Sequence, residues 1–217
     1  MIQVKNVTKY FDDFKVLDDF SLNVKKGTIY GLVGPNGAGK TTIINHINGV
    51  LKPDSGGIVI DGASVYENEK IKENVLSIAD DWFYYSTYTV KQMMHFYRDI
   101  YPSFSTERYE AIKGILKIDE KRQIRKLSKG MKKQVAFALV LSAMPKVLIL
   151  DEPLDGLDPV MRKQILNLVI ADVNDREMTV LVSSHNLREL EDICDHVGLL
   201  HKGGILFSKD LDDVKLG

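Results

Sequence analysis

Hydrophobic and polar positions alternate along the N-terminal part of the chain and change period further on. Ile2 to Val7 and Val16 to Val24 alternate with period two, Thr28 to Val33 is a short apolar run, and Ile58 to Asp61 follows a Pro53–Gly57 turn. Each pattern predicts a short strand. Between Thr89 and about Met144 the spacing becomes helical: Val90, Met93, Met94, Tyr97 and Ile100 recur every three or four residues, and Tyr101–Pro102 closes that helix. Glu107 to Lys117 and Lys129 to Met144 read as two more helices, the latter with a long apolar face. Val147 to Leu150 is a continuous apolar strand, followed by a helix from Pro159, a strand at Thr179 to Ser183 and a helix after Asn186. Val197 to Leu200 and Ile205 to Ser208 form a closing hairpin across Gly203–Gly204. The alternation predicts an α/β fold with a mostly parallel sheet and an antiparallel β portion at the N-terminus. One domain over residues 1–217 is expected, with a helical subdomain inserted at roughly residues 81–144.

The apolar strand at Thr28 to Val33 runs into GPNGAGKTT, Gly34 to Thr42. Gly34, Gly39, Lys40 and Thr41 satisfy the phosphate-loop pattern G-x-x-x-x-G-K-[ST]. Glycines let successive N–H groups turn inward and cradle a phosphate, and the helix that starts near Lys40 adds its positive end. Lys40 reaches the β- and γ-phosphates, the Thr41 hydroxyl suits Mg²⁺, and Thr42 offers a donor to the α-phosphate. Gly34, Pro35, Asn36, Gly37, Ala38, Gly39, Lys40, Thr41 and Thr42 are therefore candidate ligands of a nucleoside triphosphate. The predicted core is that of a P-loop NTPase.

Composition narrows the setting. Lys plus Arg is 29 against 30 for Asp plus Glu, so no bulk charge favours nucleic acid or an anionic membrane surface. Hydrophobic content of 44% suits a soluble core, and no apolar run approaches the ~20 residues of a membrane span. Met1 to Tyr10 is too polar for a signal peptide. The single cysteine, Cys194, excludes an internal disulfide and reads as an inert core thiol. These features predict a cytoplasmic protein.

Val147 to Pro153, VLILDEP, delivers two acids at the end of a buried strand, the edge where parallel α/β sheets hold ligands. Asp151 is placed to hold Mg²⁺, directly or through water, and Glu152 to act as general base on the attacking water. Leu127 to Met131 reads LSKGM at a helix start, where Ser128 and Gly130 offer small donors. Lys129, Lys132 and Lys133 read as a solvated face rather than as phosphate ligands. The other histidines, His46, His95, His196 and His201, lack metal-ligand spacing and read as structural.

The order GPNGAGKTT, LSKGM, LILDEP, GLDP and SSH resembles the ATP-binding cassette (ABC) nucleotide-binding domain over about Ile2 to Ser208. The family's usual signature is LSGGQ, and LSKGM looks like the branch paired with ABC-2-type exporters. The resemblance implies ATP and Mg²⁺ as ligands, ATP hydrolysis, and a head-to-tail homo- or heterodimer with two ATP at its interface. In such a dimer Ser128 and Gly130 face the γ-phosphate on the second subunit, and Asp158 of Gly156–Leu157–Asp158 crosses the interface. It also implies that His185 touches the γ-phosphate, and that Phe11, or alternatively Tyr10, stacks on adenine. Membrane permease subunits are the implied partners. They would hold the protein at the cytoplasmic face of the membrane, with the aromatic run from Trp82 to Tyr88 packing inward, docking, or both. A soluble non-transport ABC protein and a low-turnover regulatory subunit are the alternatives.

One position departs from the family. A glutamine is expected about nine residues before the Thr89–Val90 pair, and Asp80 stands there, or Asp81 if the register slips by one. An aspartate can ligate Mg²⁺ but adds negative charge beside the γ-phosphate. Asp80→Ala is expected to raise the Mg²⁺ concentration for half-maximal turnover while leaving metal-free nucleotide affinity unchanged or improved. Superimposable Mg²⁺ titrations for wild type and variant, with Asp81→Ala as register control, would remove the metal role.

Overall fold

The computed structural model describes residues 1–79 and 82–211; Asp80 and Asp81 lie outside the described residues. Among the described residues, ten strands and six α-helices form two sheets with helices packed around them. β1 (Ile2–Phe11), β2 (Phe14–Val24), β4 (Ser55–Ile60) and β5 (Ala63–Ser64) make an antiparallel sheet in the order β2-β1-β4-β5. The second sheet has the order β10-β9-β3-β8-β7-β6. Its strands are β3 (Ile29–Val33), β6 (Val75–Ile78), β7 (Val147–Asp151), β8 (Thr179–Ser184), β9 (His196–His201) and β10 (Gly204–Asp210). All neighbours in it are parallel except β9 and β10. β3, β7 and β8 are buried along their whole length, as their unbroken apolar runs require of strands covered on both faces.

Two apolar clusters cover the second sheet. One face packs on α1 (Lys40–Ile47) and the antiparallel sheet, with Leu32, Ile43, Ile47, Ile149 and Leu181 among its residues. The other face packs on α3 (Val90–Ile100), α4 (Thr106–Leu116), α5 (Lys129–Ser142) and α6 (Pro159–Arg176). A further short helix, α2 (Glu69–Lys72), precedes β6. α3, α4 and α5 all fall between β6 and β7, where the helical periodicity placed them. Thr89 opens α3 with a reciprocal capping box to Gln92, and Ser105 and Ser128 cap α4 and α5 through their side chains.

Four details differ from the sequence reading. β1 runs on to Phe11 and meets Phe14 across a tight turn in which Asp12 has φ of 50°, so the hairpin is longer than its apolar core. Gly56 belongs to β4 rather than to a turn: its φ is 79°, and an added Cβ would lie 2.3 Å from the Asn6 carbonyl oxygen. Only glycine fits this bulged crossing of β1 and β4. The segment after Asn186 is one 3-10 turn, Leu187–Glu189, and not an α-helix. It drops onto β3, where a Cβ at Gly31 would meet Cys194 Sγ at 2.9 Å and Leu190 Cδ1 at 3.1 Å. Asp195 then closes the segment by accepting from the Ile29 N–H at 2.8 Å. Cys194 is buried as expected. Lys133 is the last difference: it is 3% exposed and not part of a solvated face.

A buried ion cluster joins α4 to α6. Asp172, 2% exposed, accepts from Arg108 of α4 and, at 2.8 Å, from Arg176. Arg176 also donates to the Pro145 carbonyl at 2.6 Å. Asp172 is the buried member and its arginine partners are partly exposed, so removing it costs its hydrogen bonds and leaves two guanidiniums without their carboxylate. Asp172→Ala is expected to lower unfolding free energy by about 3 kcal/mol, read as a fall in the urea midpoint. A loss under about 1 kcal/mol would mean that the cluster behaves as a surface pair.

Candidate functional site

β3 ends at Val33, and the loop from Gly34 to Gly39 carries the chain into α1. Gly34 is locked into the sheet edge: its N–H donates to the Ser184 carbonyl at 3.2 Å, and an added Cβ would sit 2.5 Å from the Leu200 carbonyl oxygen. Gly37 and Gly39 adopt φ of 80° and 107°, which favour glycine. Gly39 is the N-cap of α1 and supplies no side-chain cap. The first N–H groups of the helix are therefore left for a ligand, the arrangement that suits an anion.

Lys40 is 6% exposed and turns back into this loop. Its ammonium donates to the Gly34 carbonyl at 2.7 Å and the Pro35 carbonyl at 3.3 Å, and lies 3.4 Å from Glu152 Oε1. Thr41 donates to Asp151 Oδ2 at 2.8 Å, and Ser183 donates to Asp151 Oδ1 at 2.5 Å. β7 and β8 are parallel neighbours with Asp151 opposite Ser183, so sheet register sets the second contact. A hydroxyl paired with a carboxylate at the foot of a phosphate loop is a donor set that fits Mg²⁺.

Glu152 follows on the turn after β7 with φ of 47°, an uncommon conformation for a non-glycine residue. Its Oε2 lies 2.9 Å from His185 Nδ1, and its Oε1 is buried without a hydrogen bond. Asp155, which sequence reading did not single out, joins them: one ligand atom each of Glu152, Asp155 and His185 lies within 4.8 Å of the others. The usable signal was an acid one turn beyond Glu152.

A cleft of about 340 Å³ is lined by Phe11, Phe14, Val16, Asn36, Gly37, Gly39, Lys40, Thr41, Thr42 and Glu152. Gly34, Pro35 and Ala38 build the loop, and Pro35 and Ala38 also line an adjoining space of about 490 Å³ bounded by Lys15 and Lys202. Between the two aromatics proposed for the base, the cleft takes Phe11. Tyr10 points to the other face of β1, as alternation requires, and lies under the Lys15 ammonium. Phe14, 69% exposed, is a second aromatic wall that sequence reading missed.

The remaining candidates lie apart from this cleft. Ser128 caps α5 by accepting from the Met131 N–H at 3.2 Å, and Asp158 caps α6 by accepting from the Met161 N–H at 3.0 Å. Neither residue, nor Gly130, is among the lining residues of the cleft. Gly130 instead packs on the turn after β7, since a Cβ there would lie 2.8 Å from the Gly156 carbonyl oxygen.

The aromatic run both packs and remains open. Trp82 and Tyr84 pack on the core, whereas Phe83 is 65% exposed. A groove of about 350 Å³ is lined by Trp82, Phe83, Phe96, Tyr97, Ile100 and Tyr101, among others. Trp82 Nε1 donates to the Tyr97 hydroxyl at 3.0 Å, and burial pushes the Tyr97 pKa up to about 12. Tyr84 receives the Lys132 ammonium at 2.8 Å on its hydroxyl, which ties this run to α5.

Residues 17–155 match the family model described as ABC transporter. The ABC transporter ATP-binding protein YtrB of Bacillus subtilis is 36% identical over 215 residues, covering 99% of this chain and 74% of that protein. The bacitracin transport ATP-binding protein BcrA of Bacillus licheniformis is 36% identical, covering 99% and 71%. A solved structure of an ATP-binding subunit of an ABC transporter superposes with a TM-score of 0.90 at 27% identity, covering 100% of this chain and 92% of that one.

If the aromatic lining of the cleft holds the base, Phe11→Ala should weaken nucleotide binding by about tenfold, within the ~1–3 kcal/mol of a base–aromatic stack. Tyr10→Ala should stay within about twofold. Equilibrium titration with a fluorescent ATP analogue measures both, and the reverse ranking would transfer the role to Tyr10.

Proposed function

The chain belongs to the ABC transporter family as an ATP-binding, ATP-hydrolysing subunit, and from that premise we propose how its residues carry out the reaction and with what partners. Lys40 and the N–H groups at the start of α1 hold the β- and γ-phosphates. Thr41 and Asp151 hold Mg²⁺, which when bound offsets the charge on the phosphate oxygens. Glu152 accepts the proton of the attacking water as its oxygen bonds to the γ-phosphorus and the bond to the β–γ bridging oxygen breaks. His185, fixed through Nδ1 by Glu152, orients that carboxylate and reaches the γ-phosphate.

The observation that carries the rest is that Ser128, Gly130 and Asp158 are absent from the lining of the cleft. One chain therefore supplies a phosphate loop and a separate capped helix start, and two chains head to tail bring the two together. Such a pair closes over two ATP, and hydrolysis reopens it. Among the described residues no helix is long and apolar enough to cross a membrane; integral membrane permeases are the proposed partners in transport. The aromatic groove at Trp82 and Tyr97 suits a short amphipathic helix from such a partner. The bacitracin transport protein among the relatives supports a transport role, and LSKGM in place of the usual signature supports export.

Glu152→Gln is expected to cut turnover at least 100-fold, the order of a general-base contribution, while ATP still binds and stabilises a dimer in sedimentation. Turnover near wild type would remove Glu152 from the role of base, and an inactive variant that stays monomeric with ATP would remove the head-to-tail pair.

A further inference from the structure

Lysines are rarely buried unless their charge is met, and Lys133, in the second turn of α5, is 3% exposed. Its ammonium donates to the backbone carbonyl of Glu152 at 2.8 Å. On the other side of the same residue, the Glu152 N–H donates to Ser183 Oγ at 3.1 Å. The Glu152 backbone is thus held at both its N–H and its C=O, in a conformation with φ of 47°. A left-handed glutamate persists where surrounding contacts over-determine it, and such strain collects at functional sites. From this backbone the carboxylate reaches His185 Nδ1 at 2.9 Å and approaches Lys40 at 3.4 Å.

The same helix also touches the turn after β7 at its start, where Gly130 leaves no room for a Cβ against the Gly156 carbonyl. Gly130 and Lys133 are three residues apart and lie on one face of α5. The helix start and the Glu152 turn are therefore packed as one unit.

We infer that Lys133 is a positioning residue for hydrolysis: it holds the Glu152 backbone so that the carboxylate points into the cleft, and it ties that placement to the start of α5. This rests on the proposed roles of Glu152 and of the α5 start. In a head-to-tail pair the start of α5 meets the nucleotide bound by the other copy. Lys133 then makes the aim of one copy's Glu152 depend on ATP held by its partner.

The test compares Lys133→Met, which keeps the stem without the donor, with Lys133→Gln, which keeps a shorter donor. Steady-state kcat and KM, nucleotide affinity and ATP-dependent dimerisation in a Glu152→Gln background are measured for each. The expected result is a kcat at least tenfold lower for Lys133→Met and a smaller loss for Lys133→Gln. KM and affinity should stay within twofold of wild type and the dimer should be retained. A smaller kcat loss in Lys133→Met, or a matching loss of affinity or of the dimer, overturns the inference. Should Lys133→Met fail to fold, Lys133→Gln decides, with a kcat loss of threefold or more at unchanged KM supporting it and anything less overturning it. An active Glu152→Gln would instead overturn the reading of Glu152 itself, whereas inactive Glu152→Gln beside normal Lys133→Met defeats the Lys133 inference alone.

Discussion

A buried ammonium must be met by oxygen atoms or negative charge, and Lys40 places that demand at the centre of this molecule. Desolvating the cation is costly, and the surrounding chain is arranged to meet it with the Gly34 and Pro35 carbonyls and the Glu152 carboxylate. Those partners come from the end of β3 and the end of β7, which β8 separates in the sheet. The register of three parallel strands therefore fixes the distance between the Lys40 ammonium and the Glu152 carboxylate, the cation and the base of the proposed reaction. On the proposed reading, phosphate oxygens would compete with Glu152 for the same ammonium, and one charge would couple nucleotide binding to the freedom of the base.

The parts of this arrangement that were legible in the sequence are those encoded locally. Gly34 to Thr42 combine a turn, a helix start and a cation within nine consecutive positions, and an apolar strand followed by Asp151 and Glu152 announces the acidic edge. Ser128 and Asp158 were legible as polar residues just ahead of predicted helix starts, and the structure makes them the caps of α5 and α6. Lys133 was not, because nothing near it in sequence distinguishes a lysine that reaches the Glu152 carbonyl from one in water. Phe14 was hidden because its place in the cleft depends on the β1–β2 hairpin reaching past its apolar core. The segment after Asn186 has helical composition, but contact with Gly31 and the Asp195 bond to Ile29 hold it in turns. In each case a tertiary contact outweighed local propensity.

The cleft and the α5 start stand in a specific relation within the chain. Lys133 and Gly130 bind α5 to the Glu152 turn, while Lys132 binds it to Tyr84 beside the aromatic groove. α5 thus touches the Glu152 turn and the groove loop, and on the proposed reading its start also faces the nucleotide of a second copy. If the proposed pair forms, one helix in contact with all three would give nucleotide closure a mechanical path towards a membrane partner.

Mixing two inactive variants tests the shared site most directly. Lys40→Met removes from one chain the cation proposed to hold phosphate, and Ser128→Arg blocks the α5 start of the other. If each site is built from two chains, a mixed pair contains one site with both wild-type halves. Turnover should then reappear on mixing, although neither variant hydrolyses ATP alone. A mixture as inactive as its components, with mixed pairs demonstrated by sedimentation, would contradict a site shared between chains.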